Sequence, residues 1–259
     1  TISLVTNATR VTPELAELLA RHQVNVAVSI DGSQEATDEA RRFKDGSPVS
    51  EQVLHGFAVL KDAGVNVGVS CTLGARSLQN FDETIEAIRR LGVNSLGFNL
   101  LLSSRDYQTP ADYDETASRF MLYAFERFRE EGIYEDRVLR KVDAFIEGKI
   151  YPFDCGATGG GQIVIAPNVE VGLCHGYQGD RQTFVTNVLD DDFDPSENPT
   201  FQEWARRSPF NMDACRSCPV LGLCGGGCPL NAQTQAGSIW ELDRRFCAHA
   251  RMTLEWLIW

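Results

Sequence analysis

The chain has 259 residues, of which 43% are apolar, so it is long enough to bury a large core. It contains no apolar run of about 18 residues and no signal-peptide pattern, which predicts neither a membrane span nor secretion. The net charge of -12 argues against a nucleic-acid partner, because such proteins bind phosphates through Lys and Arg. The expected location is the cytoplasm.

The front half alternates predicted strands and helices along the chain. Strands are predicted at residues 2–7, 26–31, 67–73 and 96–102. Helices are predicted at residues 13–20, 50–60, 81–91, 110–131 and 135–148. Strands that alternate with helices form a parallel sheet, so the fold class is α/β.

Each predicted strand has an apolar face and a polar face, because side chains alternate along a strand. The face expected to pack under helices comprises Ile2, Leu4, Val26, Val28, Ile30, Val67, Val69, Cys71, Leu73, Leu96, Phe98 and Leu100. The other face carries Ser3, Asn7, Ser29, Asp31, Ser70, Thr72, Gly97 and Asn99. In parallel βα folds the carboxyl ends of the strands carry the active site, so we expect a polar site there.

Seven of the eight cysteines lie in residues 155–259. The pair Cys155-x18-Cys174 precedes the array Cys215-x2-Cys218-x5-Cys224-x3-Cys228-x18-Cys247. Soft thiolates joined by short loops suit zinc or iron-sulfur clusters, and seven thiols exceed what one tetrahedral metal can bind. Two metal centres are therefore predicted, in preference to a disulfide framework.

A second interpretation of the array comes from a different class of protein. Cys215, Cys218, Cys224 and Cys228 have a spacing that also occurs in structural zinc sites, which would make the chain a binding or scaffold module. The chain also begins inside a predicted strand whose outer edge has no partner, and four strands cannot close a barrel. We therefore expect these residues to belong to a longer protein with further strands upstream.

Four short motifs and the cysteine array together resemble one enzyme family. Thr6-Asn7, Val28-Ser29-Ile30-Asp31-Gly32, Asp38-x2-Arg41-x4-Gly46 and Ser70-Cys71-Thr72-Leu73 resemble the later strands of radical S-adenosylmethionine (SAM) enzymes. The array resembles their C-terminal SPASM extension. The resemblance implies a partial (β/α) TIM-type barrel, later strands only, followed by a small Cys-rich SPASM domain with a β-hairpin and a C-terminal helix. The corresponding ranges are 1–132 for the barrel, 133–152 for a linking helix and 153–259 for the SPASM domain.

The same resemblance implies cofactors and ligands. SAM would be contacted by Asn7, Ser29, Asp31, Arg41 and Thr72, with Arg41 on the carboxylate. One auxiliary 4Fe-4S cluster would be held by Cys215, Cys218, Cys224 and Cys247. The other would be held by Cys155, Cys174 and Cys228, with a substrate thiolate, Asp154, His175 or Asp180 as its fourth ligand.

The sequence departs from the family pattern in two places. The Cys-x3-Cys-x2-Cys motif that holds the SAM-cleaving cluster is absent, so a third 4Fe-4S cluster is expected on a segment upstream of Thr1. This chain alone should not cleave SAM. In the predicted hairpin, Val169 stands where the family usually has Gly, and Gly159-Gly160-Gly161 stands where it often has a further Cys.

The implied function is that of a peptide maturase. A 5'-deoxyadenosyl radical would remove a substrate hydrogen, and a side chain of a ribosomally made peptide would be cross-linked or oxidised. A peptide with a leader and an electron donor such as flavodoxin or ferredoxin are the expected partners. A formylglycine-forming sulfatase maturase and a small-molecule oxidase are alternatives within the radical class.

Overall fold

The computed structural model describes residues 1–102 and 109–259, which form two compact units. The first unit comprises Thr1–Leu101 and Thr109–Arg140, and the second is built from Lys141–Trp259. Within the described ranges, no helix has the length and apolar character needed to cross a lipid bilayer. The three-part division at residues 132 and 153 stays a prediction.

The first unit is built on a parallel sheet, as the alternation of strands and helices predicts. In sheet order, which is also chain order, the strands are β1 (Ser3–Thr6), β2 (Asn25–Ser29), β3 (Val67–Leu73), β4 (Ser95–Leu100) and β5 (Tyr134–Glu135). The α/β fold class is thereby confirmed. The short strand β5 was not predicted, because two residues are too few to show an alternating pattern.

The helices of this unit follow the strands, and α1, α2 and α5 begin at a side-chain cap. They are α1 (Pro13–Arg21), α2 (Gln34–Ala40), α3 (Ser50–Asp62), α4 (Ala75–Gln79), α5 (Phe81–Arg90) and α6 (Tyr113–Glu130). The helix α7 (Asp136–Ile146) begins in this unit and ends in the second. Thr12 caps α1 by accepting from the Leu15 N–H at 3.3 Å. The helix-ending Gly64 and Gly92 have φ of +76° and +59°, which glycine adopts without strain.

The apolar face of the sheet is buried along β2, β3 and β4, as predicted. Cys71 is a fully buried thiol on this face. The prediction is wrong for β1, where Ile2 and Leu4 are 65% and 37% exposed. Among the described strands β1 pairs only with β2, so its side chains lie at the sheet edge with few neighbours.

The second unit contains the predicted hairpin and C-terminal helix. Three antiparallel strands, β6 (Val164–Ile165), β7 (Glu170–Gly172) and β8 (Phe184–Asn187), lie in that order. The helices are α8 (Pro199–Arg206), α9 (Leu221–Cys224), α10 (Pro229–Ala236) and α11 (Arg244–Ile258). Val169 turns the hairpin with a φ of +62°, a left-handed conformation that strains a β-branched residue. This strain explains why glycine suits the position.

Candidate functional site

Two of the predicted SAM contacts form an ion pair. Asp31 follows β2 and is 1% exposed, and Arg41 donates to its two oxygens through Nε at 2.6 Å and Nη2 at 3.2 Å. The Thr72 backbone N–H donates to the same carboxylate at 2.9 Å. Asp31 therefore orients Arg41 and joins the ends of β2 and β3. A direct contact between Asp31 and SAM stays a prediction.

The remaining predicted SAM contacts lie at or near the same ends of the strands. Ser29 is in register with Ser70 of β3, and Thr72 is in register with Asn99 of β4. Asn99 Nδ2 donates to Ser70 Oγ at 3.0 Å, so polar side chains of neighbouring strands are joined across the sheet. Asn7 directly follows β1, and its side-chain oxygen accepts hydrogen bonds from the backbone N–H and the hydroxyl of Thr9. The structure thus provides a row of hydrogen-bonding groups, as the polar face predicts.

One group of cysteines in the second unit comprises Cys155, Cys174 and Cys228. Burial raises the pKa of the Cys174 thiol, and the neighbouring Cys155 raises it further. Burial also raises the pKa of Cys228 to about 11, with the Asp243 carboxylate and Cys174 among the further causes. Each thiol therefore has another member of the group as an electrostatic neighbour, although 18 or more residues separate them along the chain.

A second group comprises Cys215, Cys218, Cys224 and Cys247. Burial is the largest cause of a raised pKa for Cys215, which Cys218 raises further. The pKa of Cys247 reaches about 12, first through burial and then through Cys224 and Cys215. Cys218 packs against a small apolar cluster that contains Val220, Cys224 and Ala250. Ala250 lies on α11, the helix that also carries Cys247. The two groups are interleaved along the chain: Cys224 and Cys228 are consecutive cysteines of the array, yet they fall in different groups.

The donor set fits iron-sulfur clusters, which the family resemblance implies. All eight cysteines are free thiols. Among the residues described, no three Cys, His, Asp or Glu side chains lie close enough to hold a single metal ion. A cubane cluster needs a wider spacing, because each thiolate binds a different iron, whereas four zinc thiolates converge on one ion.

Backbone N–H groups also point at the sulfurs, as they do in many iron-sulfur sites. The donors are Gly226 to Cys224, Gly176 and Tyr177 to Cys174, and Asn231 to Cys228. Hydrogen bonds of this kind stabilise thiolates and help to set the reduction potential of a bound cluster. Protonated thiols must release their protons when iron binds, so the raised pKa values make cluster loading dependent on pH.

The glycine run between Cys224 and Cys228 is required by its conformation and by close packing. Gly225 and Gly227 have φ of +68° and +70°. A Cβ on Gly225 would lie 2.6 Å from the Asp154 backbone nitrogen, and one on Gly227 would lie 2.8 Å from the Asp243 Cβ. The Asp154 N–H also donates to the Gly225 carbonyl at 2.9 Å. Glycine therefore lets the loop pack directly beside Cys155.

The candidate fourth ligands of the three-thiol group lie in different surroundings. Asp154 is an electrostatic neighbour of Cys224, a member of the other group. Asp180 is a neighbour of Tyr177, whose pKa is raised to about 12 by burial and then by Cys174, Asp180 and Cys228. Asp180 thus adjoins the three-thiol group through Tyr177, while His175 follows Cys174 directly in the chain.

Sequence reasoning missed Asp243, a buried residue that binds Cys228 through its carboxylate and Cys247 through its backbone. Its Oδ2 accepts from the Cys228 backbone N–H at 3.1 Å, and its backbone carbonyl accepts from the Cys247 N–H at 3.1 Å. Arg245 donates to both carboxylate oxygens, at 2.9 and 2.7 Å. The available signal was its place four residues before Cys247, at the start of the last helix.

Comparison with known proteins finds similarity to a radical SAM enzyme and to a maturase. No protein-family model matches the chain. It is 24% identical to the radical SAM cyclopropyl synthase TigE of Paramaledivibacter caminithermalis, over 99% of this chain and 53% of the relative. It is 28% identical to the mycofactocin maturase MftC of Mycobacterium tuberculosis, over 88% of this chain and 58% of the relative. The chain thus spans about half the length of these curated relatives.

The solved structures agree on the fold. The structure of native anSMEcpe with bound AdoMet matches 99% of this chain and 72% of its own length, with a TM-score of 0.81 and 18% identity. A further structure of that protein, similar to this chain with a TM-score of 0.80, contains AdoMet and a Cp18Cys peptide. The chain is thus similar over nearly its whole length to a radical SAM enzyme, and it shares the fold of a structure that contains AdoMet, which confirms the resemblance to radical SAM enzymes with a SPASM extension.

Proposed function

We propose that the chain is part of a radical SAM/SPASM maturase that cross-links or oxidises a side chain of a ribosomally made peptide. The observation that carries the proposal is the interleaved grouping of seven thiols, which suits two auxiliary 4Fe-4S clusters. The name of MftC as a maturase and the Cp18Cys peptide bound to anSMEcpe support a peptide substrate. When bound, SAM and the clusters supply a 5'-deoxyadenosyl radical and electron acceptors for the substrate radical.

In this proposal Arg41 binds the SAM carboxylate. A guanidinium has five N–H groups, and Asp31 occupies Nε and one N–H of Nη2. The remaining N–H groups, on Nη1 and Nη2, can bind a second carboxylate, and the Arg41 side chain is one-third exposed. Ser29, Thr72 and Asn7 line the strand ends, where we propose that they contact the nucleoside and ribose.

We propose that the second unit holds both auxiliary clusters. Cys215, Cys218, Cys224 and Cys247 would complete one cluster. Cys155, Cys174 and Cys228 leave one iron of the other open to a substrate thiolate or to a protein ligand. Asp180 is our choice among the protein groups, because Asp180 and two of these thiols, Cys174 and Cys228, are electrostatic neighbours of the same residue, Tyr177.

The wider assignment follows the family. We propose residues 1–132 as barrel, 133–152 as a linking helix and 153–259 as the SPASM domain. The family's Cys-x3-Cys-x2-Cys motif, which holds the SAM-cleaving cluster, does not occur in these 259 residues. We propose that this chain is part of a longer protein that supplies it. We further propose a peptide with a leader as substrate, flavodoxin or ferredoxin as electron donor, and the cytoplasm, where thiols stay reduced, as location.

The test is anaerobic incubation of the full-length enzyme with SAM, a reductant and candidate peptides. We expect 5'-deoxyadenosine together with a peptide of decreased mass. A Cys174→Ala variant should lose peptide modification, while Cys71→Ala, which alters a buried thiol of the sheet, should keep it. Formation of 5'-deoxyadenosine with formylglycine as product would favour the sulfatase-maturase alternative. A colourless, zinc-loaded protein would refute the proposal and favour the zinc module.

A further inference from the structure

Arg207 is a charged side chain at the centre of the second unit that no cofactor assignment uses. It directly follows α8 and is 0% exposed. Its guanidinium donates only to backbone carbonyls: Gly226 at 2.8 Å, Gly227 and Glu241 at 3.2 Å each, and Ile239. The first two carbonyls belong to the loop that joins Cys224 of one cysteine group to Cys228 of the other.

This buried cation has no carboxylate partner within residues 1–102 and 109–259. Among the residues that the structure describes, no Asp or Glu forms an ion pair with Arg207. Asp243 is among its charged neighbours, but both Asp243 oxygens already accept from Arg245. A guanidinium stays protonated inside a protein, and an uncompensated buried charge is costly. An anionic group is therefore expected nearby.

Thiols of both cysteine groups lie near this cation. Burial, the largest effect, lowers the pKa of Arg207, whereas Cys228, Asp243, Cys155 and Cys215 raise it. In return, Arg207 lowers the pKa of Cys215. Cys228 and Cys155 belong to the three-thiol group, and Cys215 belongs to the four-thiol group. Arg207 therefore binds the loop that joins the two groups and has electrostatic neighbours in both.

We propose that Arg207 is the shared positive counter-charge of the two auxiliary cluster sites and raises the reduction potentials of both. A cluster held by thiolates carries a negative charge that grows on reduction, so a nearby cation stabilises the reduced form. Low solvent access strengthens this effect, because little water screens the charge. Arg207 is thus a positioning residue that also fixes the Cys224–Cys228 loop. The proposal rests on the proposed cluster function.

The test is a redox titration of the anaerobically reconstituted full-length enzyme, followed by electron paramagnetic resonance. The auxiliary signals are identified as those lost in Cys228→Ala and in Cys218→Ala. In Arg207→Gln we expect both midpoint potentials to fall. Arg207→Lys keeps the charge, so both potentials should stay close to wild type even where cluster content decreases. The matched control is Arg206→Gln, which removes an exposed charge from the neighbouring position.

The outcomes separate this proposal from the function on which it rests. Wild-type enzyme without auxiliary signals would contradict the cluster assignment itself. Loaded clusters whose potentials are the same in Arg207→Gln as in Arg206→Gln would overturn the role of Arg207 alone. A shift of only one potential would refute the shared charge. Arg207→Gln could fail to hold clusters. In that case, a fall of both potentials in cluster-loaded Arg207→Lys would overturn the proposal, because it would show that the potentials depend on the shape of the arginine side chain and not on its charge.

Discussion

Replacing Asp243 with Ala should destabilise the second unit strongly. The change removes the acceptor of four hydrogen bonds, two from Arg245 and one each from Cys228 and Asn231. The Arg245 side chain is 6% exposed and would keep a buried charge. Breaking a buried ion pair on one side costs about 3–5 kcal/mol. For a unit of this size we expect the melting temperature to fall by roughly 12–20 °C.

The assay is thermal unfolding of the reconstituted protein, with iron content measured in parallel. Asp213→Asn is the matched control, because it breaks an ion pair with Arg216 whose side chains are 88% and 78% exposed, and it should change little. The double variant Asp243→Ala, Arg245→Met removes both charges and should recover part of the loss. A melting temperature for Asp243→Ala equal to that of Asp213→Asn would refute the reasoning.

Three further predictions follow from other contacts. Val169→Gly should relieve left-handed backbone strain and raise the free energy of unfolding by about 1 kcal/mol. The control Val188→Gly, at an equally exposed position, should lower the free energy of unfolding. A lower melting temperature for Val169→Gly would contradict the strain argument. Asp31→Asn should release Arg41 and weaken SAM binding about tenfold in calorimetry of the full-length enzyme, and unchanged affinity would exclude the orienting role. Burial raises the pKa of Glu135 to about 7, so the folded state holds this proton more tightly than the unfolded chain, and stability should fall as pH rises from about 4.5 to about 7. In Glu135→Gln the urea midpoint of unfolding should change less with pH over this range. The same slope of urea midpoint against pH in Glu135→Gln as in wild type would contradict the role of Glu135.

The sequence predicts those parts of the fold that have a strong apolar pattern. The strands β2, β3 and β4 were predicted to within two residues at either end, because each alternates buried and open positions. The helix α2 was missed, since Gln34–Ala40 contains only small or polar residues and buries only Ala36 and Thr37. A short polar helix of this kind is held by its neighbours in the fold, and its own sequence carries no periodic signal.

The candidate site was only partly predictable for a related reason. Cysteine spacing predicts metal ligands because few other roles need so many clustered thiols. The partners of these ligands come from distant positions: Arg207 lies 19 residues from Gly226 along the chain. Arg is usually exposed, so nothing in the local sequence indicates a fully buried guanidinium. The Asp31–Arg41 pair likewise depends on how α2 returns the chain to the end of β2.

The ligand assignment of the two clusters is tested most directly by removing single thiols and recording the electron paramagnetic resonance signals and iron content of the full-length enzyme. Cys228→Ala and Cys174→Ala should abolish the same auxiliary signal. Cys224→Ala and Cys247→Ala should abolish the other, and each variant should lose about four irons, the content of one cubane. The interleaved assignment would be contradicted if Cys224→Ala and Cys228→Ala abolished the same signal while Cys247→Ala left that signal unchanged.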